Sequence, residues 1–323
     1  MKAFDYAVAR NPAGLAAALK AGYTLQAGGI DLIDLLKTGV EPSDRIVSMA
    51  ALDEYRQIEV TKDDLRIGAL VTLQTLAEDE SVRTHAPLVA AVAGSTASAQ
   101  VRARATLGGN CLQRPRCGYF RSAAFMCLKK GGHQCFAWEG ENALHSIFGG
   151  GPCRITHPSS LAPVLVALQA TFQADNGSEA TAYAADDFFR NTDQNLSQEH
   201  NLASDQWLTS VHIPLTAQQA GHVEIKPRAH YDWPEASCAA VRTAAGWRIV
   251  LGHVAPLPWR ARQAEAWLGD RTLQDPAEAR EAAALAVADA EPMRDNGYRV
   301  RLAQAAVRRA LLQAGGHPAE GLT

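Results

Sequence analysis

The sequence predicts an α+β protein of two or three compact units, on three observations. The chain opens with strand and helix patterns in alternation, and it closes with a block of strands followed by Ala-rich helices. Its 323 residues also exceed what one hydrophobic core usually serves. Charged residues at 20% and apolar residues at 47% are ordinary for a globular protein and exclude a disordered or fibrous chain. The formal charge of -3 gives no reason to expect a nucleic-acid partner. No apolar run approaches the roughly 18 to 20 residues that span a bilayer. Asp5, Arg10, Asn11 and Pro12 interrupt any signal-peptide core, so the chain is expected to carry no export signal of its own.

Residues 13–21 (AGLAAALKA) predict a short helix, YTLQAGG a strand running into a Gly turn, and DLIDLLKTG a second helix. IVSMAAL and LRIGALVTL predict strands. The stretch from Leu76 to Ala99 is Ala-rich and predicts helix, and ATLGGN predicts a second strand running into glycines. Residues 116–153 are a loop rich in Cys and Gly. SSLAPVLVALQATFQA then predicts a helix and a strand, and WLTSVHIPL a strand ending at Pro214. The break TAQQAGH marks a boundary. Beyond it HVEIKPRAHY, SCAAVRT and WRIVLGHV predict strands, and QAEAWL, PAEAREAAALAVADA and VRLAQAAVRRALLQA predict helices.

Gly28 and Gly29 lie between a predicted strand and a helix beginning near Asp31. Such glycines let backbone N–H groups approach a pyrophosphate at a helix N-terminus; the alternative is a tight turn capped by Asp31. The second turn adds the hydroxyl of Thr106 and the amide of Asn110 to Gly108 and Gly109. Two such turns could clamp one dinucleotide from two sides.

Four of the six cysteines, Cys117, Cys127, Cys135 and Cys153, are separated by nine, seven and seventeen residues. The short C-x₂₋₄-C knuckles of structural zinc sites are absent, whereas a [4Fe–4S] cluster needs only four thiolates converging from a flexible backbone. Zinc, a cluster, disulfides and unliganded thiols all remain open on spacing alone. Lys129 and Lys130 would offset part of the negative charge of four thiolates. Cys111 and Cys238 sit in apolar surroundings and are expected to be packing residues. His133, His145 and His157 are expected to be polar loop residues, and Trp138 a loop anchor.

Taken together, LQAGGIDLIDLLKTG, LRIGALVTLQTLAEDESVR, ATLGGNCLQRPRCGYFR, CRITHPSSLAPVLVALQA and MRDNGYRVRLAQAAVRRAL resemble the medium, FAD-binding subunit of the xanthine dehydrogenase (molybdenum hydroxylase) family. The resemblance implies a two-part FAD-binding domain of the vanillyl-alcohol-oxidase/CO-dehydrogenase-flavoprotein type over 1–215, divided into 1–55 and 56–215. A smaller α+β domain with an antiparallel sheet and helices would follow over 220–323. RCGYFR, the gap between Cys127 and Cys135, and Cys153 just ahead of RITHPSS resemble the aldehyde oxidoreductase type. Its medium subunits carry a [4Fe–4S] cluster, which implies Cys117, Cys127, Cys135 and Cys153 as ligands.

Carried onto this chain, the family's pyrophosphate loop falls on Gln26, Ala27, Gly28, Gly29, Ile30, Asp31, Leu32 and Ile33. Its second flavin-contacting turn falls on Thr106, Gly108, Gly109 and Asn110. Ile30 replaces the usual polar residue, so a backbone group must supply that hydrogen bond. Ser160 stands where an Asp is usual, and Lys226 fits the basic position of a flavin-side strand.

The implied role is electron transfer. A large molybdenum-cofactor subunit oxidises the substrate, a small [2Fe–2S] subunit relays the electrons, and FAD on this chain passes them to an external acceptor. No side chain here would perform acid–base chemistry on the organic substrate. A self-contained FAD-dependent oxidase and a non-enzymatic metal-stabilised scaffold are the rival readings. The expected location is cytoplasmic, or periplasmic if the chain is exported folded with a signal-bearing small subunit.

Overall fold

The computed structural model describes residues 1–216, 219–228, 231–273 and 275–317, and its strands form three sheets. The first contains β1 (Asp5–Val8), β2 (Thr24–Gln26) and β3 (Arg45–Ser48), parallel and in the order β1-β3-β2. Helices α1 (Pro12–Lys20) and α2 (Ile30–Thr38) are its crossovers. α1 starts where Asn11 Oδ1 accepts the Gly14 amide at 2.8 Å and Pro12 supplies a preset φ. Leu15, Val47, Met49 and Leu52 close a small core under this sheet together with Trp207.

The second sheet opens with β4 (Ile58–Val60) and β5 (Asp64–Gly68). Five helices follow, α3 (Leu73–Glu78), α4 (Glu80–His85), α5 (Pro87–Ser95), α6 (Ala99–Arg102) and α7 (Leu107–Cys111). After the Cys-bearing loop come α8 (Leu161–Ala167), β6 (Thr171–Asp175), β7 (Ala180–Ala184), α9 (Ala185–Phe188) and β8 (Trp207–Pro214). The five strands are antiparallel in the order β4-β5-β8-β6-β7. One face packs on α3, α5 and α8 through residues such as Leu65, Leu73, Val89, Leu165 and Phe172.

The third sheet runs β9 (Gln219–Ile225), β10 (Ala236–Thr243), β11 (Gly246–Gly252) and β12 (Trp259–Arg260), antiparallel in sequence order. Helices α10 (Arg262–Leu268), α11 (Pro276–Leu285) and α12 (Tyr298–Ala314) follow. α12 lies across β9 and β10 and buries Ala303, Ala306, Val307, Ala310 and Leu311. Among the described residues no helix is long and apolar enough to cross a membrane.

Three details depart from the sequence reading. The helix expected from Leu76 to Ala99 begins at Leu73, is broken twice, and ends at Ser95, with Ala99 opening the separate helix α6. Asp79 ends α3 and caps α4 through the Val82 amide, and Pro87 forces Ala86 out of helical conformation. ATLGGN is not a strand end: Thr106 Oγ1 accepts the Gly109 amide at 3.1 Å and starts the short helix α7, leaving only an isolated bridge from Thr106 to Thr72. The helix after the first turn begins at Ile30, with Gly29 in the cap position and Asp31 already helical. In the break TAQQAGH, Ala217 and Gln218 lie outside the described residues, as do Ala229 and His230 of HVEIKPRAHY.

Candidate functional site

A cavity of about 750 Å³ opens between the end of the parallel sheet, α7 and the segment after β9. That volume suits a cofactor-sized ligand. Its wall brings together Ala27, Gly28, Gly29, Ile30, Asp31 and Leu32 with Thr106, Gly108, Gly109, Asn110, Ser160 and Lys226, residues up to 200 positions apart in sequence. Gln26 and Ile33, at the two ends of the first segment, are not in the wall. Arg116, Tyr231, Asp232 and Trp233 also line it and went unnoticed in sequence. The position of Arg116 next to Cys117 was the only available signal.

The two glycine segments differ in what they offer. Gly29 has φ 80 and no side chain with which to cap α2. The first amides of a helix lack intrahelical acceptors, so here they meet the cavity uncapped, in a region of partial positive charge. This suits Ile30, whose side chain cannot hydrogen-bond. In the second segment the Gly108 amide is bonded to Ala69 O at 2.9 Å and the Gly109 amide to Thr106. Their missing side chains make room for Ala69 and Thr106, and the segment adds the Asn110 amide group, whose Oδ1 accepts from Ser159 Oγ at 2.6 Å.

Ser160 precedes α8 and lies 3.5 Å from His253 Nε2. Lys226 Nζ holds Glu224 Oε2 at 2.7 Å. Burial alone would raise the Glu224 carboxyl, but His222, His253 and Lys226 around it prevail and lower it. Glu224 therefore stays anionic beneath the cavity and fixes the Lys226 ammonium at its rim.

Beside the cavity, residues 116–153 form an irregular wrap whose only helical turn among the described residues is Leu128–Lys130. All six cysteines are free thiols, so no disulfide holds this loop. Cys153 donates to Cys135, which pulls Cys135 down to about 6 against its burial, and the same contact pushes Cys153 up. The amides of Arg154 and Ala137 also point at the Cys135 sulfur, and that of Ile155 at Cys153. Burial raises Cys117 to about 11, although the Phe120 and Tyr119 amides act the other way. Cys117 also feels the charges of Cys135 and Cys127.

Among the described residues no three His, Cys, Asp or Glu side chains meet closely enough to hold a single metal ion. A cubane differs from an ion because it takes one thiolate at each iron and spreads its four sulfurs. Neighbouring thiols with several backbone N–H groups aimed at sulfur fit that donor set. Cys111 and Cys238 lie apart in the apolar cores, where burial pushes Cys111 up to about 12 and raises Cys238 as well.

The loop is tied down by charge. Lys129, expected to offset thiolates, is committed to Glu199 Oε1 at 2.5 Å and Leu196 O at 2.9 Å, although Cys153 still feels it. Arg114 bridges Glu199 at 2.6 Å and Glu41 at 2.7 Å. Asp31 points away from the glycine turn toward the loop: its oxygens accept from the Arg114 amide at 2.7 Å, Arg116 at 2.8 Å and Arg121 at 2.7 Å. Trp138 is half exposed, with Arg154 stacked over its ring and its Nε1 donating to Pro152 O, as expected of an anchor. His145 and His157 are buried, not polar loop residues; His145 Nε2 lies 3.3 Å from Cys117 Sγ, and burial lowers both rings to about 4. At the far end Asn296 donates to His145 O and Ser146 O, and Arg299 to the carbonyls of His145, Glu235 and His253.

Residues 2–216 match the FAD binding domain in molybdopterin dehydrogenase, and residues 222–314 the CO dehydrogenase flavoprotein C-terminal domain. The chain is 32% identical to the aldehyde oxidoreductase FAD-binding subunit PaoB of Escherichia coli (strain K12), over 97% of this chain and 99% of that one. It is 26% identical to the carbon monoxide dehydrogenase medium chain of Hydrogenophaga pseudoflava, over 89% and 87%. Quinoline 2-oxidoreductase from Pseudomonas putida 86 shares the fold, with a TM-score of 0.77 at 23% identity over 98% of this chain and 99% of that one. With both domains matched in order and a relative aligned along nearly its whole length, the chain belongs to the FAD-binding medium subunits of the molybdenum hydroxylase family.

Proposed function

We propose that this chain is the electron-transfer subunit of a molybdenum-containing aldehyde oxidoreductase, carrying FAD and a [4Fe–4S] cluster. Its partners would be a large molybdenum-cofactor subunit and a small [2Fe–2S] subunit, and its product electrons would go to an external acceptor. The observation that carries this reading is the juxtaposition of an uncapped glycine-bounded helix end, in a cavity of about 750 Å³, with a loop of four neighbouring free thiols. The aldehyde substrate class follows from the likeness to the PaoB subunit.

When bound, FAD couples one-electron iron–sulfur donors to a two-electron acceptor, and a cluster supplies one-electron relay. In this reading the amides at the start of α2 hold the pyrophosphate, and Thr106, Asn110 and Ser160 fix the flavin from the opposite wall. Lys226, anchored by Glu224, places a positive charge at the rim. Cys117, Cys127, Cys135 and Cys153 each bind one iron, and the amides aimed at their sulfurs tune the cluster.

The complex purified from its native host, with bound chains identified, should contain FAD and about four irons per chain beyond any partner's share. An absence of flavin after acid extraction of fresh complex removes the FAD assignment. FAD without the additional iron and acid-labile sulfide removes the cluster.

A further inference from the structure

Asp31 belongs by sequence to the cofactor turn, yet its carboxylate serves the other site. It is the second residue of α2, immediately after Gly29 and Ile30. Among the described residues, every donor it holds, the Arg114 amide, Arg116 and Arg121, comes from the segment that leads into the Cys loop and contains Cys117. Asp34, one helical turn further on, takes the other arm of Arg121 at 2.9 Å. Arg116 in addition accepts the face of Trp233, with its guanidinium carbon 4.7 Å from the ring centre. Arg116 and Trp233 line both the cofactor-sized cavity and the groove along the Cys loop, so they form the partition between the two.

Two physical arguments give this arrangement a role. A bare carboxylate in the first turn of a helix that faces a phosphate would repel it, and three donors aimed at Asp31 remove that penalty. The side chains of Asp31 and Arg121 are only 16% and 12% exposed, so the pairs are screened far less than surface ion pairs. A turn fixed this way is rigid only while the donor segment is itself ordered, and on the reading above a ligand bound by Cys117, which lies within that segment, adds to the ion pairs of Arg114 and Arg121 that already hold it.

We infer that Asp31 is a positioning residue that couples the two cofactor sites, so that an ordered Cys loop raises the affinity of the glycine turn for FAD. The inference rests on the proposed function. Coupling of this kind is reciprocal, so bound FAD also slows loss of iron from the loop.

The test is the FAD dissociation constant of the purified complex after flavin removal, measured with the loop intact and in Cys127→Ser. In the wild-type background Cys127→Ser should weaken FAD binding by about tenfold or more. In Asp31→Asn, which keeps the shape and removes the charge, the same change should weaken it by less than about twofold. A direct loss of FAD affinity in Asp31→Asn cancels from this ratio, so the ratio reads coupling and not general damage. If Asp31→Asn does not accumulate as folded protein, Arg121→Met removes a single arm and should bring the ratio to an intermediate value. A ratio near one in the wild type overturns the inference, as does an undiminished ratio in Arg121→Met or Asp31→Asn. Failure of the underlying reading looks different, because wild-type complex would then take up no FAD or hold no loop iron.

Discussion

Gly29 carries more of the site than its size suggests. At φ 80 an L side chain is strained by about 1–2 kcal/mol, and a Cβ there would come within 2.8 Å of Gln26 Nε2. Gly29→Val should therefore tilt the first amides of α2 and lower FAD occupancy while far-UV circular dichroism stays native; full flavin content on acid extraction would show the turn to be structural only. Gly109→Val acts differently, since its Cβ would meet Thr106 Oγ1 at 2.9 Å and disturb a cap. The cysteines divide in the same way. Serine in place of Cys117, Cys127, Cys135 or Cys153 should lose iron and acid-labile sulfide, whereas Cys111→Ser and Cys238→Ser should keep both. An intact cluster in Cys153→Ser together with its loss in Cys111→Ser would mean a different quartet. These residues could be singled out in the sequence because glycine turns and cysteine spacing are local signals, and the variants above test the roles proposed for them. The grip on Asp31 could not be, because its three partners lie between 83 and 90 positions away and arginines are common on any surface.

Among the elements, the loop shows how charge substitutes for secondary structure. Lys129 and Glu199 are almost fully buried and hold each other across 70 residues, with Arg114 continuing the chain to Glu41. Glu199→Gln would leave a buried ammonium without its counterion, at a cost of about 3–5 kcal/mol. The expected result is a lower denaturant midpoint and, on the proposed function, faster iron loss to a chelator; an unchanged midpoint would mean that Lys129 reaches water. Amphipathic helices such as α12 and strands such as β10 and β11 could be read directly from their periodicity. The short strands β1, β4 and β7 could not, because each has few buried side chains and owes its conformation to a neighbouring strand. The helix α7 was misread for a related reason: two glycines argue against helix on propensity, and one threonine cap prevails over them.

Across the whole molecule the α+β reading held because the closing block of strands and helices is long and strongly patterned. What composition concealed is the number of histidines folded in the neutral state. Burial lowers His157 and His200 to about 4 and His253 to about 3, against about 6.5 in an unfolded chain. Between pH 6.5 and 4 the unfolded chain thus binds more protons than the folded one. Stability is full above about pH 6.5 and declines as pH falls, by roughly 1.4 kcal/mol per pH unit for each histidine. Urea midpoints at pH 7.5 and pH 5 should differ accordingly, and equal midpoints would place these rings in contact with solvent.

The clamp formed by Asn296 and Arg299 also imposes a schedule. The loop carbonyl that both residues secure, His145 O, belongs to a residue made 151 positions before Asn296 and 154 before Arg299. At about 5–20 residues per second, roughly 8 to 30 seconds of synthesis separate the loop from its clamp. During that interval the thiols have emerged from the ribosome while the closing latch does not yet exist. On the proposed function, the loop could be held closed around a cluster only after residues 296–299 have been made, and until then its thiols lack this latch.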